Sequence, residues 1–298
     1  MTADQAFAEY EAVRQVLPPV VSATTAAVYL EDLSALSDRF DAFLLDAFGV
    51  LNIGEQAIPG VQERVADLIA SGKRVLVVSN AASVPLTSLV GKYRRLGYPF
   101  GPEDIVTSRQ SLAGALDGAG DRLWGLMGGD VDGLDDLGTV RTTQLLDDPD
   151  AYEQAGGFLL IGSATWTEER QTRLERALKA RPRPVLVGNP DIVAPRDIGF
   201  SVEPGYFAHR LARSTGVVPR FFGKPYANIY DLAFARLGPI DRSRIVMVGD
   251  SLHTDILGAQ AAGVRSALIA GYGFFADSDV PSAIQRSGIS PDFVLTRP

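Results

Sequence analysis

Four polar clusters in this chain could do chemistry, each at the end of a short apolar run. They are Asp46 in LLDAFGVL, Ser79 with Asn80 in VVSNAAS, Lys224 in FGKPY, and Asp250 with Asp255 in GDSLHTD. A carboxylate that attacks phosphorus has to be held beside a divalent cation, because two anions otherwise repel. Asp250 and Asp255 offer the carboxylate oxygens that a hard cation such as Mg2+ takes, with water and phosphate oxygens completing its shell. Lys224 is a compact positive charge for both nucleophile and phosphoryl group. The Ser79 hydroxyl, and the backbone N–H groups of Asn80 and Ala81 after it, can donate to the phosphoryl oxygens whose charge must be stabilised in transfer.

Taken singly, each residue also has a plain structural use. Asp46 could cap a strand end, Ser79 and Asn80 could turn the chain, and GKP is a common surface turn. Asp250 and Asp255 could cap the helix after them, since carboxylates favour helix N-termini. Asn189 and Asp191 could form an Asx turn around Pro190, and His209 could pack on a helix. What argues for a shared site is that several clusters end strand-like runs in succession.

Those runs are AFLLD (42–46), RVLVVSN (74–80), LWGLMG (123–128), GFLLIGS (157–163), PVLVGN (184–189) and RIVMVGD (244–250). They are too short for helices. Between them lie segments with helical spacing, such as Leu86, Leu89, Val90, Tyr93 and Leu96 on one face. A further helix start is legible in TWTE, where Thr165 and Glu168 have capping-box spacing before a run to about residue 180. Alternating strands and helices predict an α/β fold with parallel sheets. In such sheets ligands bind beyond the carboxyl ends of the strands, so Asp46, Ser79, Asn80 and Asp250 should face one crevice. Gly118, Gly120 and Asp121, and later Gly216 to Pro219, are candidate crossing points between two domains.

The composition bounds the partners. The 298 residues are 46% hydrophobic and 21% charged, as in an ordinary globular protein. A net charge of -8 gives no footprint for nucleic acid or an anionic membrane, so any anion site must be built locally. There is no cysteine, which excludes disulfides and thiolate metal sites and suits the cytoplasm. The acidic start lacks the apolar stretch of a secretory signal, and no run is long enough to span a bilayer.

The ordered set LLDAFGVL, VVSNAAS, FGKPYANIYDLA and MVGDSLHTDILGAQAAG resembles the four motifs of the haloacid dehalogenase (HAD) superfamily. VGNPD (187–191) and the wording around GKP and GDSLHTDI are similar to its class IIA branch of NagD-type sugar phosphatases and pyridoxal phosphate phosphatases. The resemblance runs from about residue 40 to residue 273. It implies a Rossmann-like core, residues 1–119 and 218–298, carrying an inserted C2-type α/β cap at 120–217. Residues 1–40 are expected as a helical lead-in without function. It also implies a Mg2+-dependent phosphatase of a small phosphorylated metabolite, a sugar, polyol or cofactor phosphate. Asp46 would form an aspartyl-phosphate, Ser79 would bind the phosphoryl group, and Lys224 would steady the charges. Asp250 would ligate Mg2+ with Asp255 in support, and the cap loops NPDIVAPRD and VEPGY, with Asn189 and Asp191, would meet the leaving group. Cap-mediated homodimers occur in the family.

One residue departs from that pattern. Phosphatases of the family carry a second aspartate two residues after the nucleophile, which protonates the leaving oxygen and then activates water. Here it is Phe48, which keeps the backbone carbonyl for the metal and loses the acid. General acid–base catalysis contributes ~10²–10⁴-fold, so the loss allows a slow phosphatase or a phosphometabolite-binding protein without turnover. Other HAD chemistry, C–P or C–halogen cleavage, is a third reading; dehalogenases also have an aromatic here, but they dispense with the metal that the GDSLHTD acids would hold. His253, inside that loop, is a candidate replacement acid.

Overall fold

The computed structural model describes residues 1–20, 26–117, 120–128, 134–196, 199–276 and 278–298. Gly118, part of one expected crossing point, lies outside the described residues, as does Asp197 of NPDIVAPRD. The main sheet has seven strands in the order Val28–Leu30, Phe293–Leu295, Arg265–Ile269, Ile245–Gly249, Ala42–Leu45, Arg74–Ser79 and Ile105–Thr107. Every pairing in it is parallel.

Both faces of this sheet are covered, so its central strands read as continuous apolar runs rather than alternating ones. Phe43, Leu45, Val75, Val77, Val246 and Val248 point to one side, against helices Val61–Ala70 and Leu86–Arg95. Their neighbours Ala42, Leu44, Leu76, Val78, Ile245 and Met247 point to the other, against helix Ala227–Leu237. The Leu89 and Tyr93 face of Leu86–Arg95 is buried, as its spacing predicts.

The second sheet has five parallel strands in the order Arg220–Phe221, Val185–Val187, Gly157–Leu160, Leu123–Met127 and Arg141–Gln144. Helix Glu168–Ala180 packs on it through Leu174 and Leu178. Its cap is Thr167, whose hydroxyl accepts from the Arg170 N–H, and not Thr165: the chain is extended at Thr167, which leaves that side chain facing the first free amides. An antiparallel pair, Val193–Pro195 with Phe200–Val202, follows the NPD segment.

The first forty residues are more than a helical lead-in. Helix Ala3–Ala12, closed by a Thr2/Gln5 capping box, packs Phe7 and Tyr10 against Leu252, Ile256 and Phe274. Val28–Leu30 then adds an edge strand to the main sheet. Among the described residues no helix is long and apolar enough to cross a membrane.

Candidate active site

The carboxyl ends of the main-sheet strands and the Asn189–Val202 segment enclose a cavity of about 270 Å3, lined by Asp46, Phe48, Ser79, Asn80, Asp191 and Asp250 among others. Asp46 directly follows Ala42–Leu45, and its N–H still bonds Val248 O at 2.9 Å, so the sheet ladder fixes its backbone. Asp250 follows Ile245–Gly249 on the neighbouring strand. Beyond it the chain makes a π-helical turn, Leu252–Ile256, in which both the Asp255 and Ile256 N–H groups reach Ser251 O at 3.1 Å. That wide turn swings Asp255 back toward the strand end, where its Oδ2 accepts from the Ser251 N–H at 3.1 Å. Carboxylate oxygens of Asp46, Asp250 and Asp255 consequently lie within 4.8 Å of one another.

Lys224 enters this cluster from the side. Its ammonium is 2.6 Å from Asp46 Oδ1 and 2.8 Å from Asp255 Oδ1. Gly223, at φ 121°, is the close approach that permits this: a Cβ there would lie 2.4 Å from Asn80 Oδ1. Asn80 ties the loop down, accepting from Lys224 N at 2.7 Å and donating to Lys224 O at 2.9 Å. Its Nδ2 also donates to Asp191 Oδ1 at 2.8 Å. Both ends of the Asn80 amide are thus spent on positioning, so a substrate contact from Asn80 falls to its backbone N–H. Ser79 is buried at the end of its strand, with Oγ accepting from the Ala81 N–H at 3.3 Å. The Asn189 side chain is likewise committed, accepting from Asp191 N and donating to Glu203.

Burial pushes the Asp250 carboxyl well above the usual carboxylate range, and Asp46 and Asp255 push it further, against a hydrogen bond from the Phe274 N–H. Burial also raises Asp255, opposed by Lys224. For Lys224 burial works against the charge, but Asp255 and Asp46 outweigh it and hold the ammonium above the ordinary lysine range. Only two of the three carboxylates contact the one ammonium, which leaves the cluster short of positive charge.

The cluster fits a divalent metal. Its oxygens are hard donors, and the Phe48 carbonyl accepts no hydrogen bond from the described residues. Glycines leave room beside it: a Cβ on Gly273, at φ 70°, would sit 1.9 Å from Asp250 Oδ2, and one on Gly249 would sit 2.1 Å from Asp255 Cγ. Asp46, Asp250 and the Phe48 carbonyl would hold Mg2+, with Asp255 behind them.

Phe48 is half-buried in the cavity wall, with Lys92 Nζ 5.1 Å and Arg196 Cζ 5.6 Å from its ring centroid. Each cation has its own acid, Glu55 for Lys92 and Glu203 for Arg196, at 2.9 Å. His253 is not in the cavity wall. It is buried between Phe7 and Tyr10, stacked on the latter at 4.9 Å, with Nε2 2.6 Å from Glu11. Apolar packing of the first helix claims it, which removes it as a replacement acid. His209 packs on the smaller sheet, stacked on Phe221 at 4.8 Å, and burial pushes its imidazole down to about 4. Sequence reasoning missed Tyr10, Lys92 and Phe274 as cavity residues. Nothing local marks Tyr10; Arg196 was at least inside the NPDIVAPRD segment.

Residues 43–137 match the family model of the haloacid dehalogenase-like hydrolases, and residues 221–297 match a second, HAD-hydrolase-like model. The chain belongs to the haloacid dehalogenase-like hydrolases. It is similar to the acid sugar phosphatase of Staphylococcus aureus, with 26% identity over 74% of this hydrolase and 82% of that protein. It is 28% identical to the 4-nitrophenylphosphatase of Schizosaccharomyces pombe over 78% and 84% of the two chains. For the D-glycerol 3-phosphate phosphatase of Mycobacterium tuberculosis the identity is 29%, over 80% of this hydrolase and 65% of its relative. Among solved structures, a possible sugar phosphatase from Cytophaga hutchinsonii superposes with a TM-score of 0.79 at 23% identity, covering 91% of this chain and 98% of the other. The M. tuberculosis glycerol phosphate phosphatase in complex with magnesium superposes at 0.64 with 26% identity, covering 80% and 69%. Membership together with these phosphatase relatives carries the class of enzyme, phosphomonoesterase, and the metal, Mg2+, that the motifs imply.

Proposed function

We propose that this hydrolase cleaves a small phosphorylated metabolite, a sugar, polyol or cofactor phosphate, through an aspartyl-phosphate on Asp46. The observation that carries the reading is the convergence of Asp46, Lys224, Asp250 and Asp255 at one crevice, within 4.8 Å for the three carboxylates. Residues 120–217 act as a C2-type cap whose Asn189–Val202 segment forms the far wall, and residues 1–119 and 218–298 form the core. The cysteine-free, acidic chain works in the cytoplasm.

The substrate phosphoryl group meets Asp46 Oδ2, since Oδ1 is engaged by Lys224. Lys224 steadies the nucleophile and the charge that develops on the phosphoryl oxygens, in a setting where water is largely excluded. The Ser79 hydroxyl and the N–H groups of Asn80 and Ala81 bind the remaining oxygens. Bound Mg2+ would neutralise the phosphoryl charge that otherwise repels the carboxylate. Attack forms a bond from Asp46 to phosphorus and breaks the ester bond, and water then releases phosphate. The reading is checked with a phosphate-ester panel in Mg2+ and in EDTA. Phosphate release that needs the metal and vanishes in Asp46→Asn is expected; saturable binding without release would establish instead the binding protein that Phe48 permits.

A further inference from the structure

Phe48 removes the carboxyl expected to move the proton, yet the ester oxygen of an alkyl phosphate is a poor leaving group until it is protonated. The cavity wall holds few groups that could serve. Asp46 and Asp250 belong to the phosphoryl and metal sites. Glu55 and Glu203 are paired with Lys92 and Arg196. The Tyr10 phenol is held well above its ordinary range by burial and by Asp191, and its oxygen accepts from the Ile192 N–H. Asp191 remains.

Asp191 is held firmly from three directions. Its N–H donates to Asn189 Oδ1 at 3.0 Å, its carbonyl accepts from Gly205 N at 3.0 Å, and its Oδ1 accepts from Asn80 Nδ2 at 2.8 Å. Gly205 is needed for that packing, since a Cβ there would lie 2.0 Å from Pro190 O. No hydrogen bond among the described residues engages Asp191 Oδ2, and the residue lines the same cavity as Asp46. Asp46 follows a strand of the main sheet and Asp191 the loop after Val185–Val187 of the smaller sheet, so the two carboxyls reach the one cavity from different sheets.

We propose that Asp191 takes the place of the missing acid, donating a proton from Oδ2 to the leaving oxygen and then accepting one from the water that hydrolyses the aspartyl-phosphate. This rests on the phosphomonoesterase reading. In the first step the Asp46 oxygen bonds to phosphorus, the P–O ester bond breaks with its electron pair on the ester oxygen, and the Asp191 proton neutralises that oxygen. In the second, water oxygen bonds to phosphorus, its proton passes to Asp191, and Asp46 leaves as carboxylate. Proton balance closes on Asp191 alone. The carboxyl is suited to wait in its acid form: burial, with Asp46 and Asp255, pushes it up to about 8 against the pull of Lys224 and the Asn80 hydrogen bond. The charged and titratable groups around it are Asp46, Asp255 and Lys224, Tyr10 from the first helix, and the Glu203–Arg196 pair beside the two-stranded Val193–Pro195/Phe200–Val202 hairpin.

Comparing kcat/KM for glycerol phosphate and for 4-nitrophenyl phosphate, in Mg2+, tests the proposal, because the nitrophenolate leaves without a proton. Asp191→Asn is expected to lose about 10²–10⁴-fold on glycerol phosphate and roughly tenfold or less on the nitrophenyl ester. Phe48→Asp combined with Asp191→Asn is expected to recover the glycerol phosphate rate. Equal losses on both esters, or no loss on either, overturn the role of Asp191 while the phosphatase reading stands. A wild-type protein inert to both esters overturns the reading itself. Should Asp191→Asn fail to fold, the wild-type profiles decide. The glycerol phosphate rate should fall as pH rises through an alkaline pKa that the nitrophenyl profile lacks, and superimposable profiles overturn the proposal.

Discussion

The Lys224 ammonium stands 2.6 Å from Asp46 Oδ1, so the nucleophile and its counter-charge form a buried pair before any substrate arrives. Removing one member of such a pair leaves buried charge uncompensated, which costs about 3–5 kcal/mol. Lys224→Met is therefore expected to lower the melting temperature in EDTA, to regain part of it in Mg2+, and to abolish turnover. Melts identical to wild type in EDTA would show that the carboxylates do not depend on this ammonium.

Gly273 governs the metal side of the cluster. A methyl group there would lie 1.9 Å from Asp250 Oδ2 and would disturb the Phe274 N–H bond to the same oxygen. Loss of such an outer contact weakens metal binding about 10–100-fold. Gly273→Ala should raise by that factor the Mg2+ concentration for half-maximal phosphate release, and an unchanged Mg2+ titration would place the metal elsewhere.

Asn80 serves positioning at three points, two on Lys224 and one on Asp191. Truncating it to alanine leaves buried partners unsatisfied, at about 1–3 kcal/mol for each group. Asn80→Ala should lower thermal stability and kcat together while Mg2+ affinity, measured by calorimetry, stays near wild type. A variant with full kcat would mean that Lys224 keeps its place unaided.

Acid sensitivity should trace in part to His209. Its imidazole is pushed down by burial to about 4, from an ordinary value near 6.5, so the folded state prefers it neutral. The folded state carries no penalty above pH 6.5 and an increasing one as pH falls toward 4, reaching roughly 3 kcal/mol below that pH. Denaturant titrations across this range should show wild type losing stability relative to His209→Phe as pH falls from 6.5 toward 4. Parallel stability curves would refute the assignment.

What was legible in the sequence was local. The buried strands Ala42–Leu45, Arg74–Ser79 and Ile245–Gly249 announce themselves as apolar runs because both sheet faces are covered. Edge strands did not: Arg141–Gln144 reads RTTQ, and Val28–Leu30 is three residues long and mostly exposed. The ends of the runs placed Asp46, Ser79 and Asp250 together, since parallel strands carry their carboxyl ends to one side. His253 misled because its neighbours in the chain are site residues, whereas its packing partners Phe7 and Tyr10 are far away in sequence. The cations flanking Phe48 come from helix Leu86–Arg95 and from the Val193–Val202 hairpin, and nothing in either segment alone points to that ring.

Asn80 belongs to the core and Asp191 to the opposite wall, and a single amide group joins that wall to the loop bearing Lys224. One side chain therefore answers to both walls at once, and any change at residue 80 is felt by the charge beside the nucleophile and by the carboxyl across the cavity.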